Sequence, residues 1–159
     1  LISAPELDYI FSGQFHRVQD PFVPLPHIGF LRSRLIPVAD GQEIAPGLHA
    51  VYLPGHTPGS MGLFLAESKF FFTGDAVKNR PDFVHDILPP CFGDREDAIT
   101  SLHKVKTMAK RILPGHDVPF NPCGRDETVL DSSRSSIILS VNDRLKQPDR
   151  RISIFGQNE

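Results

Sequence analysis

Between Val51 and Asp75 the chain reads VYLPGHTPGSMGLFLAESKFFFTGD, and this stretch leaves the fold few choices. Leu48 to Leu53 alternates in the manner of a strand, and Met61 to Ala66 and Lys69 to Thr73 predict a hairpin turning at Glu67-Ser68. Phe70, Phe71 and Phe72 in succession predict a strand covered on both faces. His56 then falls at the first strand–loop junction and Asp75 at the end of the third strand. The Gly-His pair returns in Arg111-Ile-Leu-Pro-Gly-His116-Asp117, after another short apolar run. Three potential metal ligands therefore stand where strands stop. Loops at strand ends can converge while a sheet holds them still, so the pattern predicts a site along one edge of a sheet.

The rest of the chain surrounds this stretch with short elements. Ser3 is placed to cap a helix from Pro5 to Ser12, with Pro5 and Glu6 in its first turn. Gln19 to Pro26 reads as a loop, with Phe15, Phe22 and Phe30 either packing it down or lining a substrate entrance. Arg34 to Val38 is a strand candidate, and Asp40–Glu43 and Ala45–Gly47 are turns. Ala76 to Gly93 holds three prolines and reads as an irregular connection of the kind that forms lids and binding loops. Asp94 caps a helix carrying Glu96 and Asp97 at its start and Lys104, Lys106 and Lys110 towards its end, as the helix dipole favours. Ala98, Leu102, Val105, Ala109 and Ile112 form one apolar stripe, and Pro114 closes the strand after it. Val118 to Gly124 is a loop. Ser132 to Leu145 reads as helix, or as a strand through Ile137-Ile138-Leu139, and Arg151 to Phe155 as a final strand. Strands, then helix, then strand predict a layered α/β domain over residues 1–122, with residues 123–159 completing or flanking it.

Composition narrows the function. The net charge of −2 offers no electrostatic surface for nucleic acid or an anionic membrane, and no apolar run approaches a bilayer's thickness. Cys91 and Cys123 make no disulfide framework, so a reduced, cytoplasmic enzyme acting on a small-molecule substrate is the default expectation. Fifteen prolines punctuate many short elements and argue against a helical bundle.

His56, Asp75 and His116 carry the chemistry. Two imidazoles and a carboxylate suit zinc, and also iron or manganese. One carboxylate can bridge two metals, and two metals about 3.5–4 Å apart can stabilise both the attacking and the leaving oxygen of a hydrolysis. Gly55, Gly59, Gly62, Gly74 and Gly115 let the backbone turn tightly beside these ligands, and the hydroxyls of Thr57 and Ser60 are available to orient them. His16, His27, His49, His85 and His103 lack such a context. His103 reads as solvent-facing, and His27 and His85 as loop residues near the cleft. Asp117 reads as a support for the loop of His116. Cys91 and Cys123 have no paired spacing.

Leu53-Pro-Gly-His56-Thr-Pro-Gly-Ser60, Thr73-Gly-Asp75 and Leu113-Pro-Gly-His116-Asp117, in this order, resemble the second half of the metallo-β-lactamase fold superfamily. The resemblance covers Arg34 to Asp117 and implies an αββα sandwich with a metal site at one edge. It implies that His56 ligates a first metal, that Asp75 bridges both, and that His116 ligates the second. The expected cofactor is a binuclear zinc centre, with iron or manganese as alternatives. The implied activity is attack of metal-bound hydroxide on an ester, lactone, thioester or amide carbonyl, with Asp75 among the catalytic groups. The family's His-x-His-x-Asp-His loop does not occur in this sequence. Leu1-Ile-Ser-Ala-Pro-Glu6 resembles the strand and helix just downstream of that loop in the family, so the expectation is a chain truncated at the start of the sandwich. Asp40 to His56 is similar to the acyl-homoserine-lactone lactonase branch, where a Tyr commonly stands three residues after the bridging Asp. Lys78 holds that position here. The alternatives are a thioester hydrolase of the glyoxalase II kind and a truncated or degenerate non-catalytic domain.

Overall fold

A computed structural model describes residues 1–18, 20, 28–123, 136–139 and 150–153. The chain forms two compact units, Leu1–Arg125 and Asp126–Glu159.

The first unit is built on a five-stranded sheet of order β3-β4-β5-β6-β7, comprising β3 (Glu43–Ala45), β4 (Leu48–Tyr52), β5 (Met61–Leu65), β6 (Phe70–Gly74) and β7 (Arg111–Pro114). The first four strands run antiparallel, and β6 and β7 pair parallel. A parallel pair needs a crossover, which is supplied here by α4 (Arg80–Val84) and α5 (Arg95–Met108). Because β6 and β7 point the same way, their ends bring Asp75 and His116 to one edge of the sheet. A second pair, β1 (Ile2–Ser3) and β2 (Pro37–Val38), is also parallel. Between them lie α1 (Ala4–Phe11), α2 (Gln14–Arg17), α3 (Ile28–Leu31) and a 3-10 turn at Arg32–Arg34. The strand expected from Arg34 begins only at Pro37, because Arg34 closes the 3-10 turn and Leu35 is its C-cap. All but Asp20 of the expected loop from Gln19 to Pro26 lies outside the described residues.

One face of the large sheet is the core. Val51, Phe71 and Ile112 pack there with Leu53, with Leu102 and Val105 of α5, and with Phe83 and Phe120. Phe64 and Phe71 are cross-strand partners meeting edge to face at 5.3 Å, the geometry that aromatic quadrupoles favour. Each of the fully buried side chains Phe71, Leu53 and Ile112 contributes about 1.5–3 kcal/mol relative to exposure. Phe72 is the correction to the expectation of a strand covered on both faces. It pairs with Leu63 and Leu113 on the opposite side and is 42% exposed. Consecutive strand residues point to opposite faces, so three phenylalanines in a row do not by themselves imply two covering layers.

Helix α5 forms as the cap predicts: the Asp94 carboxylate accepts from the amides of Glu96 and Asp97. The helix ends at Met108, with Ala109 already extended as its C-cap. The apolar stripe therefore runs past the helix, and its last member, Ile112, belongs to β7. The expected irregular stretch from Ala76 to Gly93 contains α4, a second correction. Asn79 caps it by accepting from the Asp82 amide, and Pro81 sits in its first turn. Phe83 anchors the helix against Phe120 at 5.3 Å. The N-terminal helix starts as expected, with the Ser3 hydroxyl accepting from the Glu6 amide at 3.1 Å.

The second unit contains a hairpin of β8 (Ser136–Leu139) and β9 (Arg150–Ser153), with Ile137 opposite Ile152. Of the two readings of Ser132–Leu145, the strand through Ile137-Ile138-Leu139 is therefore the observed one. The remainder of that segment lies outside the described residues.

Candidate functional site

The loop after β4 is fixed from several sides, and His56 is at its tip. Gly55 has φ of +136°, and a Cβ there would meet the Ala98 Cβ at 2.4 Å and its backbone at 2.5 Å. Only glycine both adopts that angle and permits such close approach to α5. Ser101 of α5 donates to the carbonyl of Pro54 at 2.7 Å. From the other side, the amides of Phe92 and Gly93 donate to the carbonyls of His56 and Gly55 at 2.8 and 3.1 Å. The Phe92 ring meets the His56 imidazole edge on at 5.7 Å. His56 Nδ1 is 2.6 Å from the carbonyl oxygen of Pro90.

Asp75 follows β6 directly, after Gly74 at φ of +51°. His116 hangs on a short backbone ladder: the amide of Gly115 donates to the Val77 carbonyl at 3.1 Å, and that of His116 to the Lys78 carbonyl at 2.8 Å. Gly115 lies against the Asp75 carboxylate, since a Cβ there would stand 2.5 Å from Oδ1. Asp117 supports the same loop, as expected. Its two oxygens accept from the amides of Arg80 at 3.0 Å and Val118 at 2.8 Å.

The three singled-out residues meet. Asp75 Oδ2 is 3.4 Å from His56 Nε2, and Asp75 Oδ1 is 3.0 Å from His116 Nε2. The carboxylate stands between the imidazoles, one oxygen to each. Even so, the described residues contain no group of three or more His, Cys, Asp or Glu already arranged to hold a metal ion. The donor set nevertheless fits a cation, for a reason that lies in the hydrogen bonds. A carbonyl oxygen only accepts, so His56 Nδ1 must carry the proton that Pro90 receives. In the neutral ring Nε2 then presents its lone pair to a carboxylate oxygen. Two lone pairs face one another, and a proton or a metal cation between them removes the repulsion. Orientation of a ligand imidazole through its other nitrogen is how metal sites fix the tautomer.

An open cleft of about 560 Å³ adjoins these groups, lined by Ile2, Glu6, His56, Thr57, Met61 and Asp75 among others. Burial pushes the Glu6 carboxyl above its ordinary range, partly offset by a hydrogen bond from Thr57 and another from the Gly59 amide. Glu6, Pro90 and Phe92 are the parts of this site that sequence reading missed. Glu6 registers there only as a first-turn acid, and a main-chain carbonyl has no sequence signature. Of the other histidines, His85 and His103 are exposed, and His49 Nδ1 lies 3.3 Å from the Gly41 carbonyl. His27 lies outside the described residues. Cys91 is half-buried, its thiol turned to the Pro89 carbonyl and its pKa raised by burial, whereas Cys123 is exposed.

Residues 3–153 match the family model of the metallo-beta-lactamase superfamily. The chain belongs to that superfamily. Among superfamily relatives, it is 29% identical over 126 residues to a beta-lactamase-like protein 2 homolog from Caenorhabditis elegans, covering 77% of this chain and 37% of the relative. It is 30% identical over 102 residues to an N-acyl homoserine lactonase of Bacillus thuringiensis, covering 59% of this chain and 38% of the relative. A solved N-acyl homoserine lactone hydrolase, with N-hexanoyl-L-homoserine bound at its catalytic metal centre, superposes with TM-score 0.53 at 25% identity. That superposition covers 74% of this chain and 46% of the other. The chain thus spans less than half the length of these relatives. Two more distant members of the fold are a dizinc lactonase and a di-iron-bound protein, at 18% and 20% identity and TM-scores of 0.53 and 0.52.

Proposed function

We propose that this chain carries the second-half ligands of a metal-dependent hydrolase that opens an ester-type carbonyl, with lactones the favoured substrate class. The observation that carries the reading is the convergence of the three side chains, with Asp75 Oδ2 3.4 Å from His56 Nε2, Asp75 Oδ1 3.0 Å from His116 Nε2, and His56 Nδ1 held at the Pro90 carbonyl. His56, Asp75 and His116 are the residues that would hold the metal, zinc by their chemistry, with iron or manganese also suited. A bound divalent cation would polarise the carbonyl and make water a nucleophile at neutral pH. The protein's own part is positional. Pro90 holds His56 in one tautomer, the Gly115–Val77 and His116–Lys78 hydrogen bonds set the reach of His116, and Gly115 leaves room for the Asp75 carboxylate. Lactone is favoured over thioester because the lactonase relatives share this segment.

Cobalt(II) titration followed by visible absorption tests the reading, with lactone and thioester hydrolysis measured alongside. The wild-type chain should take up cobalt weakly, since three donors leave a coordination sphere incomplete, and Asp75→Ala or His116→Ala should abolish uptake. Uptake unchanged by both substitutions would overturn the assignment. Thioester turnover exceeding lactone turnover would move the substrate class to the glyoxalase II kind.

A further inference from the structure

We propose that Glu6 is a positioning residue for the metal site, acting through Thr57 to hold the His56 loop in its ligating conformation. The inference rests on the metal reading above, but its structural half stands by itself. Glu6 lies on α1, fifty-one residues before Thr57 in the chain. Its Oε2 accepts from Thr57 Oγ1 at 2.6 Å and from the Gly59 amide at 3.1 Å. These two bonds fix the direction of every neighbouring one. Thr57 Oγ1 spends its proton on Glu6, so at 2.8 Å from Ser60 Oγ it must accept. Ser60 Oγ therefore donates its own proton to Thr57 Oγ1, and it accepts from the Thr57 amide at 2.9 Å. The chain runs one way, from Thr57 N–H through Ser60 and the Thr57 hydroxyl, and it ends on the Glu6 carboxylate.

The backbone contact matches the hydrogen bonds. A Cβ at Gly59 would stand 2.0 Å from the Glu6 nitrogen, so the loop is seated directly on the first turn of α1. Ser3, the cap of that helix, donates its hydroxyl proton to the Gly59 carbonyl while accepting from the Glu6 amide. The loop that carries His56 is thus clamped at Thr57 and Gly59 by a helix it does not adjoin in sequence. Without the carboxylate, the Thr57 hydroxyl and the Gly59 amide would both lose their acceptor. Groups so stranded, Gly59 buried and Thr57 half-buried, rearrange to find water, and His56 is the next residue along from Thr57.

Amide exchange and cobalt affinity, measured on the whole chain, test this. In Glu6→Ala the Gly59 amide should exchange at least about tenfold faster than in wild type, with the amides of β4 and β5 unchanged. Cobalt affinity should fall by about 10–100-fold, as is usual when a group that orients a metal ligand is removed. Glu6→Gln keeps a carbonyl acceptor and should restore both quantities to within about threefold. Tyr9→Phe, which removes the α1 contact to Asp20 at 3.1 Å, serves as a control for loosening the helix and should change neither. If Glu6→Ala does not fold, Thr57→Val carries the affinity half of the test, since it removes the hydroxyl that Glu6 holds, keeps the shape and leaves the Gly59 amide its acceptor; unchanged cobalt affinity in that variant would overturn the proposal. Unchanged Gly59 exchange in a folded Glu6→Ala, or equal effects of Glu6→Ala and Tyr9→Phe, would overturn the proposal. If wild type takes up no cobalt, the metal reading fails separately, and the exchange result decides whether Glu6 holds the loop.

Discussion

Gly115→Ala separates the geometry of the site from the stability of the fold. Gly115 does not occupy the left-handed region, so alanine costs no backbone strain there. The contact is what matters: the new methyl would lie 2.5 Å from Asp75 Oδ1 and 3.0 Å from the Gly74 carbonyl oxygen. Ordinary non-bonded separations are near 3.5 Å, so the carboxylate must retreat by roughly 0.5–1 Å. The Asp75 side chain is 37% exposed and has solvent to move into. The stability cost should therefore sit at the lower end of overpacking, about 1 kcal/mol. Displacement of the donor is the larger effect, because misplacing a reacting group by about 1 Å costs on the order of 100-fold in rate. Cobalt affinity by titration and stability by urea unfolding are the paired assays. The expected result is a folded variant with affinity reduced by at least about tenfold. Gly29→Ala, whose methyl meets nothing within 4 Å, should leave affinity unchanged. A folded Gly115→Ala variant that binds cobalt as wild type does would refute the claim that this glycine sets the position of Asp75.

Gly55→Ala should behave differently, because its φ of +136° and the Ala98 backbone at 2.5 Å leave no escape; a loss above about 3 kcal/mol in urea unfolding is expected, and a loss below about 1 would contradict the seating on α5. Phe71→Ala should cost about 3–5 kcal/mol, whereas Phe72→Ala should cost under about 1, since Phe71 is fully buried and Phe72 is 42% exposed; comparable losses would disprove the assigned faces of β6. Glu6 gives a pH signature: its folded pKa lies above the ordinary 4.5, so its contribution to stability is complete below that value and is lost as pH rises through the raised one. Glu6→Gln cannot titrate, so its stability relative to wild type should improve as pH rises from below 4.5 through the raised pKa, and a pH-independent difference in urea midpoints would show that Glu6 titrates normally.

The elements legible in the sequence were those where two signals coincide. For α5, a capping Asp94 and the stripe of Ala98, Leu102 and Val105 agree, and each is visible in the letters. The stripe misleads only at its end, because an apolar residue at helical spacing looks the same whether it closes a helix or, like Ile112, opens a buried strand. Helix α4 was hidden by the three prolines of its stretch, although Asn79, Pro81 and Asp82 form a capped first turn; a helix of little more than one turn has no periodicity to read. The exposure of Phe72 was illegible because it depends on what lies across the sheet, which no local pattern encodes. The donors of the site were readable as residue types between glycines. Their support was not, since Pro90 acts through its carbonyl and Glu6 acts from another element across fifty residues of chain.

That support is unequal, and the inequality bears on how the site works. His56 is pinned by α5 at Gly55, by Pro90 at Nδ1, by Phe92 along its ring and by Glu6 through Thr57, and its side chain is only 11% exposed. His116 has a two-bond ladder to Val77 and Lys78, and its side chain is 62% exposed. Asp75 lies between them and is in closer contact with the looser partner, at 3.0 Å against 3.4 Å. Of the two imidazoles the looser one can close on the shared carboxylate, whereas the pinned one cannot move towards it. On the metal reading proposed above, the His56 side would be preorganised, and adjustment on binding would fall to Asp75 and His116. Substitutions on the two arms should then differ in kind. Loosening the His56 loop removes preorganisation that nothing else in the site replaces, whereas loosening the His116 loop widens a freedom that the site already has.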